Sequence, residues 1–420
     1  MVSTIVSTVA SSLGGFGGRK VENFIDRLNR YYSSIFLLFL ACLVSSKQLV
    51  GNPIECWCPA QFTDNQVRYT NSYCWVSSTH YLSKEHAVIP RSFSKDYSIA
   101  YYQWVPLMFL MQCFLSHIPY LLWRFFLQQN GANVSGLLEA ALMANETSQL
   151  EMRKKAIEHI AYQLDRYTST RRHSDSSCYT RVMNVLSRKF FLFGGRNYGN
   201  FLANCYIFIK AIYICNSVLQ IHLLDMLLGE ERSYHLYGIK AIHGMILRMP
   251  WTDPDHFPTG TLCELEIRDQ SRIHNYVVQC VLSINIFNEK IFVFLWFWFF
   301  VLIAITSLDL IIWFFHNFYW EGATNFVSKR LCRKIGHKPH LDPVLLSRFV
   351  RSYLRRDGMV ILRLMGCNCG DVLIGEILDQ LWFCYMPRPS EKNYVNIRSG
   401  FKTKETSISL RESSSTVQLV

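Results

Sequence analysis

The sequence predicts an all-α membrane protein built on four transmembrane helices. Three observations carry that class. Half of the residues are hydrophobic and 15% are aromatic, and the mean hydropathy is positive at +0.10. Long uncharged runs alternate with basic stretches, the charge segregation of a membrane protein. Four runs supply the roughly 20 apolar residues that a helix needs to cross a bilayer. The formal net charge of +12 would also suit a nucleic-acid binder. Here the basic residues flank hydrophobic runs and no DNA- or RNA-binding motif is present, so the partner that explains them is membrane lipid, not nucleic acid.

The elements follow in order. Residues 1–30 form an amino-terminal segment that is Gly- and Ser-rich up to Gly18 and continues as "VENFIDRLNRYYSS". In it Val21, Phe24, Ile25 and Leu28 recur at helical spacing opposite charged residues, a pattern that fits an interfacial helix lying on the inner leaflet. The first span is 31–50, uncharged until Lys47. A cleaved signal would need a short charged start and a small-residue cleavage site, and neither is present, so the helix is read as retained. A loop (51–96) leads to the second span, 97–123, where Pro106 and Pro119 are expected to bend the helix. A second loop (124–200) precedes the third span, 201–228, which carries Lys210, Asn216 and Gln220. A third loop (229–290) precedes the fourth span, 291–313, the strongest apolar run. Residues 314–386 carry amphipathic patterns, with Asp342 before Pro343 as a helix start. The remainder, 387–420, is polar and rich in Ser and Thr, read as a disordered tail.

Lys and Arg set the orientation. Arg19, Lys20, Arg27 and Arg30 precede the first span, and Lys329, Arg330, Arg333, Lys334 and Lys338 follow the fourth. The loop 124–200 is equally basic. The other two loops carry Glu55, Asp64, Glu85 and Asp96, and Asp253, Asp255, Glu264, Glu266 and Asp269. The positive-inside rule therefore expects both termini and the 124–200 loop in the cytoplasm, with the other two loops outside. On that topology the sequons at Asn133 and Asn145 are cytoplasmic and stay unglycosylated.

Five of the fourteen cysteines then fall outside: Cys56, Cys58, Cys74, Cys263 and Cys280. Cys56, Cys58, Cys74 and His80 also have the makings of a zinc site, although C-x-C is tighter than the usual ligand spacing. Outside the cell disulfides persist, which favours bridges over metal. Four cysteines allow three pairings, and the fifth is left over. "CNCG" at Cys367–Gly370 offers two ligands, too few for a site. No P-loop, G-x-S-x-G or H-E-x-x-H motif is present, so neither catalytic residues nor a metal or cofactor are expected.

Five stretches, "PIECWCPAQF", "YCW", "YYQWVP", "INIFNEKIFVFLWFW" and "RFVRSYLRRDGMVILRLM", lie in that order around the spans. Together they resemble the innexin family, the invertebrate gap-junction proteins, over Glu22 to Trp382. The resemblance implies an oligomeric ring of eight subunits and disulfide-stapled extracellular loops. It also implies a helical cytoplasmic domain and docking of two hemichannels across apposed plasma membranes to pass ions and small metabolites. It implies the bridges Cys56–Cys280 and Cys74–Cys263, and leaves Cys58 as an unpaired thiol where the family usually has another residue. It further implies that the amino-terminal residues fold into the pore as a funnel with "VENFIDRLNRYYSS" leading into the first span, which makes Val2, Ser3, Thr4, Ser7, Thr8, Ser11 and Ser12 the pore-lining candidates. The rival functions are an undocked hemichannel that releases small molecules, and a four-span adhesion or scaffold protein without a pore.

Polar residues inside spans invite two readings each. Asn216 and Gln220 share a helix face and suit interhelical hydrogen bonds. Lys210 and Asp309 lie towards the same expected membrane side, where they pair or snorkel; ion sensing is the alternative role for Asp309. His117 is either a hydrogen-bonded core histidine or a pH switch.

Overall fold

The computed structural model describes residues 22–77, 79–80, 98–99, 101–129, 134–172, 199–228, 243, 246–247, 257–269, 272–334 and 342–386. The pore-lining candidates and the 387–420 tail lie outside them. The chain divides into two compact units. One spans 22–131 and 202–318, and the other takes 132–201 and 319–420 with the first 21 residues.

The first unit holds the four helices long and apolar enough to cross a membrane: Phe24–Leu49, Val105–Leu127, Phe201–Leu227 and Ser283–Phe318. The first begins a full two turns before the expected boundary at 31. Asn23 is its cap, with Oδ1 accepting from the Phe24 N–H at 2.8 Å. No Gly or Pro interrupts the chain before Leu49. A π-helical stretch, Leu28–Tyr32, carries "VENFIDRLNRYYSS" straight into the span instead of leaving it as a separate surface helix.

The second span is broken. Val105–Leu115 and Ile118–Gln129 are separate helical segments with the break at Ser116–His117. Pro119 lacks an N–H and its ring crowds the carbonyl four residues back, on Leu115, where the first segment ends. Pro106 does not bend the helix as expected. It sits in the first turn, where an N–H has no intrahelical partner to lose. The fourth span runs 36 residues, about 54 Å at 1.5 Å per residue, well beyond a hydrocarbon core of about 30 Å. Its flanks, like its centre, contain neither Gly nor Pro. The expected span of 291–313 is its apolar middle.

The spans meet through apolar packing, with Leu37, Val44, Phe109, Phe292, Leu295 and Phe299 buried, and through polar contacts. The Gln112 and Gln220 side-chain amides each donate to the other's backbone carbonyl, at 3.1 and 3.0 Å. That is the interhelical bonding expected of Gln220; Asn216 is half-buried. His117 Nδ1 lies 3.2 Å from Ser34 Oγ and 3.1 Å from the Cys113 carbonyl.

Between the spans the loop regions build a sheet. Its strands are β1 (Glu55–Trp57), β2 (Thr79–His80), β3 (Ser98–Ile99), β4 (Gly260–Asp269) and β5 (Arg272–Val281), in the order β1-β5-β4-β2-β3. All pairings are antiparallel. The protein is predominantly helical, and this sheet adds strands that the all-α class does not contain. Alternation is its cause: Thr261, Cys263 and Leu265 point inward while Glu264 and Glu266 face out.

The second unit is helical. Val134–Glu146 and Leu150–Arg172 bury Leu137, Leu138, Ala141, Ile157, Ile160 and Leu164, apolar residues at helical spacing. Trp320–Lys334, Pro343–Arg348 with its π-helical continuation Phe349–Leu354, Arg355–Cys369 and Asp371–Tyr385 complete it. Asp342 caps its helix, with Oδ1 accepting from the Val344 N–H at 3.1 Å. Gly199 has φ +69°, and a Cβ there would meet Arg355 Cδ at 2.6 Å. That close approach lets the Asp357 N–H reach the Gly199 carbonyl at 2.9 Å. Tyr353 donates to Asp165 at 2.5 Å; burial and the Asp165 carboxylate hold its phenol well above the ordinary range.

Candidate functional site

Two disulfides tie the first loop region to the third. Cys56 of β1 is bonded to Cys280 of β5, its direct cross-strand neighbour. Cys74 is bonded to Cys263 of β4, with Cα atoms 5.8 Å apart. The bridges span 224 and 189 residues of sequence. They lie side by side: Cys56, Cys74 and Cys280 sulfurs are within 4.8 Å of one another. Each of these sulfurs is committed to a disulfide, which leaves no thiolate there to ligate zinc.

Local structure aims Cys74 at the sheet. It lies on a helix, Asp64–Val76, opened by a capping box in which the Thr63 N–H donates to Gln66 Oε1 at 2.9 Å. Asn71 on that helix accepts from the Cys56 N–H at 3.0 Å, fixing helix and β1 together. "YYQWVP" is a joint. Tyr102 is buried against Trp75, Gln103 Nε2 donates to the Trp75 carbonyl at 2.5 Å, and Gln48 donates to the Tyr102 carbonyl at 2.9 Å. The aromatic residues of Tyr101, Phe257 and Phe292 continue the contact from loop to fourth span.

Cys58 is outside both bridges. It is half-exposed, with Sγ 3.7 Å from the Cys56 carbonyl. The β4–β5 hairpin extends past its short neighbours. β1 pairs only with residues 279–281 of β5, and β2 only with Leu262 of β4. Among the described residues, the outer backbone edges from Glu264 to Asp269 and from Arg272 to Val278 carry no third strand. Ile273 and Val277 are exposed there.

A second polar site lies among the spans. Lys210 is fully buried and sits between two carboxylates, Asp26 Oδ1 at 2.5 Å and Asp309. Tyr206 donates to Asp26 at 2.8 Å, and Asn23 Nδ2 reaches both Asp309 oxygens. Asn29 donates to Thr306 at 2.8 Å and accepts from Ser217. Arg30 pairs with Glu22 at 2.8 Å and lies over the Tyr120 ring. Burial pushes the Glu22 carboxyl above its ordinary value, opposed by Arg30.

Lys210 and Asp309 therefore pair rather than snorkel. Asp26, Asn23 and Asn29 were missed as partners because the helix is inside-out. It buries Glu22, Asp26 and Asn29 and exposes Phe24, whereas the soluble-protein rule buries the apolar face. The signal available was the i, i+3 spacing of Asp26 and Asn29 beside two span residues of complementary charge.

The sequence model of the Innexin family matches residues 22–385. The chain belongs to the innexin family. It is 35% identical over 366 residues to innexin unc-9 of Caenorhabditis elegans, covering 87% of this chain and 92% of that one. It is 30% identical over 411 residues to innexin-19 of Caenorhabditis briggsae (91% and 90%). It is 28% identical over 402 residues to innexin eat-5 of Caenorhabditis elegans (91% and 92%). Innexins are a channel family, and this innexin is a gap-junction channel subunit of the plasma membrane. Its hemichannels dock across two membranes and pass ions and small metabolites passively. Family membership favours that function over an undocked hemichannel or a poreless adhesion protein.

Proposed function

We propose that eight copies of this innexin form a hemichannel with both termini in the cytoplasm, and that two rings dock through the stapled loop sheet. The observation that carries the reading is covalent. The bonds Cys56–Cys280 and Cys74–Cys263 make one pre-ordered surface of two loops, which lowers the entropy cost of association. The unaccompanied edges of β4 and β5 offer backbone donors and acceptors to the apposed subunit, as an edge strand does. The Lys and Arg flanks support the orientation. Exposed apolar residues on the spans, such as Phe39, Phe114 and Phe300, suit lipid or neighbouring subunits. Val2, Ser3, Thr4, Ser7, Thr8, Ser11 and Ser12 are small enough to leave a wide, weakly selective opening.

Paired cells expressing this chain, with a second innexin added if homomeric pairs are silent, test the reading. Dye and current pass between the cells, and no glycan appears at Asn133 or Asn145. Current in single cells with none between pairs refutes docking, and a glycan at either sequon refutes the orientation. We propose that Cys58 stays a thiol. Cys58→Ser then leaves coupling within about twofold of wild type, because Cys58 is in neither bridge and serine keeps a hydrogen-bond donor of similar size beside the Cys56 carbonyl. Peptide mapping under non-reducing conditions that finds Cys58 in a bridge removes this assignment.

A further inference from the structure

We infer that Lys210, Asp26 and Asp309 are positioning residues that pin the root of the amino-terminal segment to the third and fourth spans. The inference rests on the reading that residues 2–12 line the pore. Asp26 sits on the first turn of the helix that follows residues 1–21, capped by Asn23. Lys210 joins it to Asp309, nearly 100 residues further along than Lys210 itself, and all three are buried. Tyr206 and Asn23 satisfy further carboxylate oxygens. Asn29, one turn on, repeats the clamp with Thr306 and Ser217, and Arg30 closes back on Glu22. So every polar side chain on the inner face of Glu22–Asn29 is held by the helix itself or by the third or fourth span. A buried charge that loses its partner is costly, so this root has one stable seat while Lys210 is present. The first span proper, Ser33–Leu49, is held by apolar packing and by hydrogen bonds that do not involve Lys210, Asp26 or Asp309, such as Trp298 Nε1 to Ser33 Oγ at 3.0 Å and Gln48 to the Tyr102 carbonyl. Loosening the cluster should free the root without unfolding the span.

The test uses the full chain in lipid nanodiscs for amide hydrogen exchange, and in cells for unit conductance. In Lys210→Met, exchange across 22–29 speeds up by about 100-fold or more while Ser33–Leu49 is unchanged, because local opening and not global unfolding is affected. Unit conductance or its voltage dependence shifts in the same variant, and Lys210→Arg, which keeps the cation, restores both. If Lys210→Met does not reach the membrane, Asp26→Asn is measured instead. It leaves Lys210 with Asp309 and gives the same local signature. Wild-type exchange in 22–29, or acceleration spread evenly over all four spans, overturns the inference. Accelerated exchange in 22–29 with unaltered conductance upholds the pin and removes the pore-lining reading beneath it.

Discussion

Replacing Cys74 by serine is expected to abolish coupling between paired cells while the chain still reaches the surface. Cys74–Cys263 anchors the loop helix to β4, and its neighbour Cys56–Cys280 anchors β1 to β5. Loss of a native bridge typically costs about 2–5 kcal/mol, more for long closed loops. Cys74, Cys263 and Cys280 pack in the same buried core as Leu37, Val44 and Phe292 of the spans, so surface delivery of the variant is what separates a lost docking surface from a lost fold. Cys56→Ser should be milder. Cys58 lies just beyond β1 with its Sγ 3.7 Å from the Cys56 carbonyl, so it is placed to substitute, and Cys56→Ser with Cys58→Ser restores the full loss. Junctional conductance is the readout, with surface biotinylation as the control. Wild-type coupling in Cys74→Ser would show that docking does not need the staple.

Phe349→Ala is expected to destabilise the second unit by about 3–5 kcal/mol, the cost of removing a fully buried aromatic ring. Phe349 is 0% exposed. Its ring stacks on Tyr353 at 5.2 Å and packs at 5.1 Å against both Trp382 and Tyr385. Tyr353 in turn donates to Asp165, so one ring supports contacts reaching three helices. Limited proteolysis should cut the variant within 342–386 under conditions that leave the wild type intact. Phe349→Leu fills much of the volume and should cost under about 1.5 kcal/mol if the neighbours repack. Equal protease resistance of Phe349→Ala and wild type would remove the ring from the unit's core.

Much of the fold was legible in the sequence, and the limits have physical causes. Hydropathy located all four spans, because a bilayer core demands a long apolar run whatever surrounds it. It misjudged their ends. Asn23 and the absence of Gly or Pro extend the first helix to Phe24, and the fourth continues through polar flanks that no apolar window counts. The sheet was overlooked although "TLCELEI" alternates, since ten-residue strands leave a weaker imprint than a span. The cysteine pairing followed from family resemblance, because spacing alone permitted three arrangements.

Residue order alone establishes that this chain crosses a membrane four times, that its loops hold cysteines able to join, and which family it belongs to. Each follows from local composition or from ordered motifs. The packing of the spans reveals that Asp26 and Asp309 share Lys210, and that the amino-terminal helix turns its polar face inward. Nothing local distinguishes a helix packed in water from one packed in lipid. The choice of buried face depends on what the neighbouring spans offer, here an ammonium that is costly to bury without carboxylates around it.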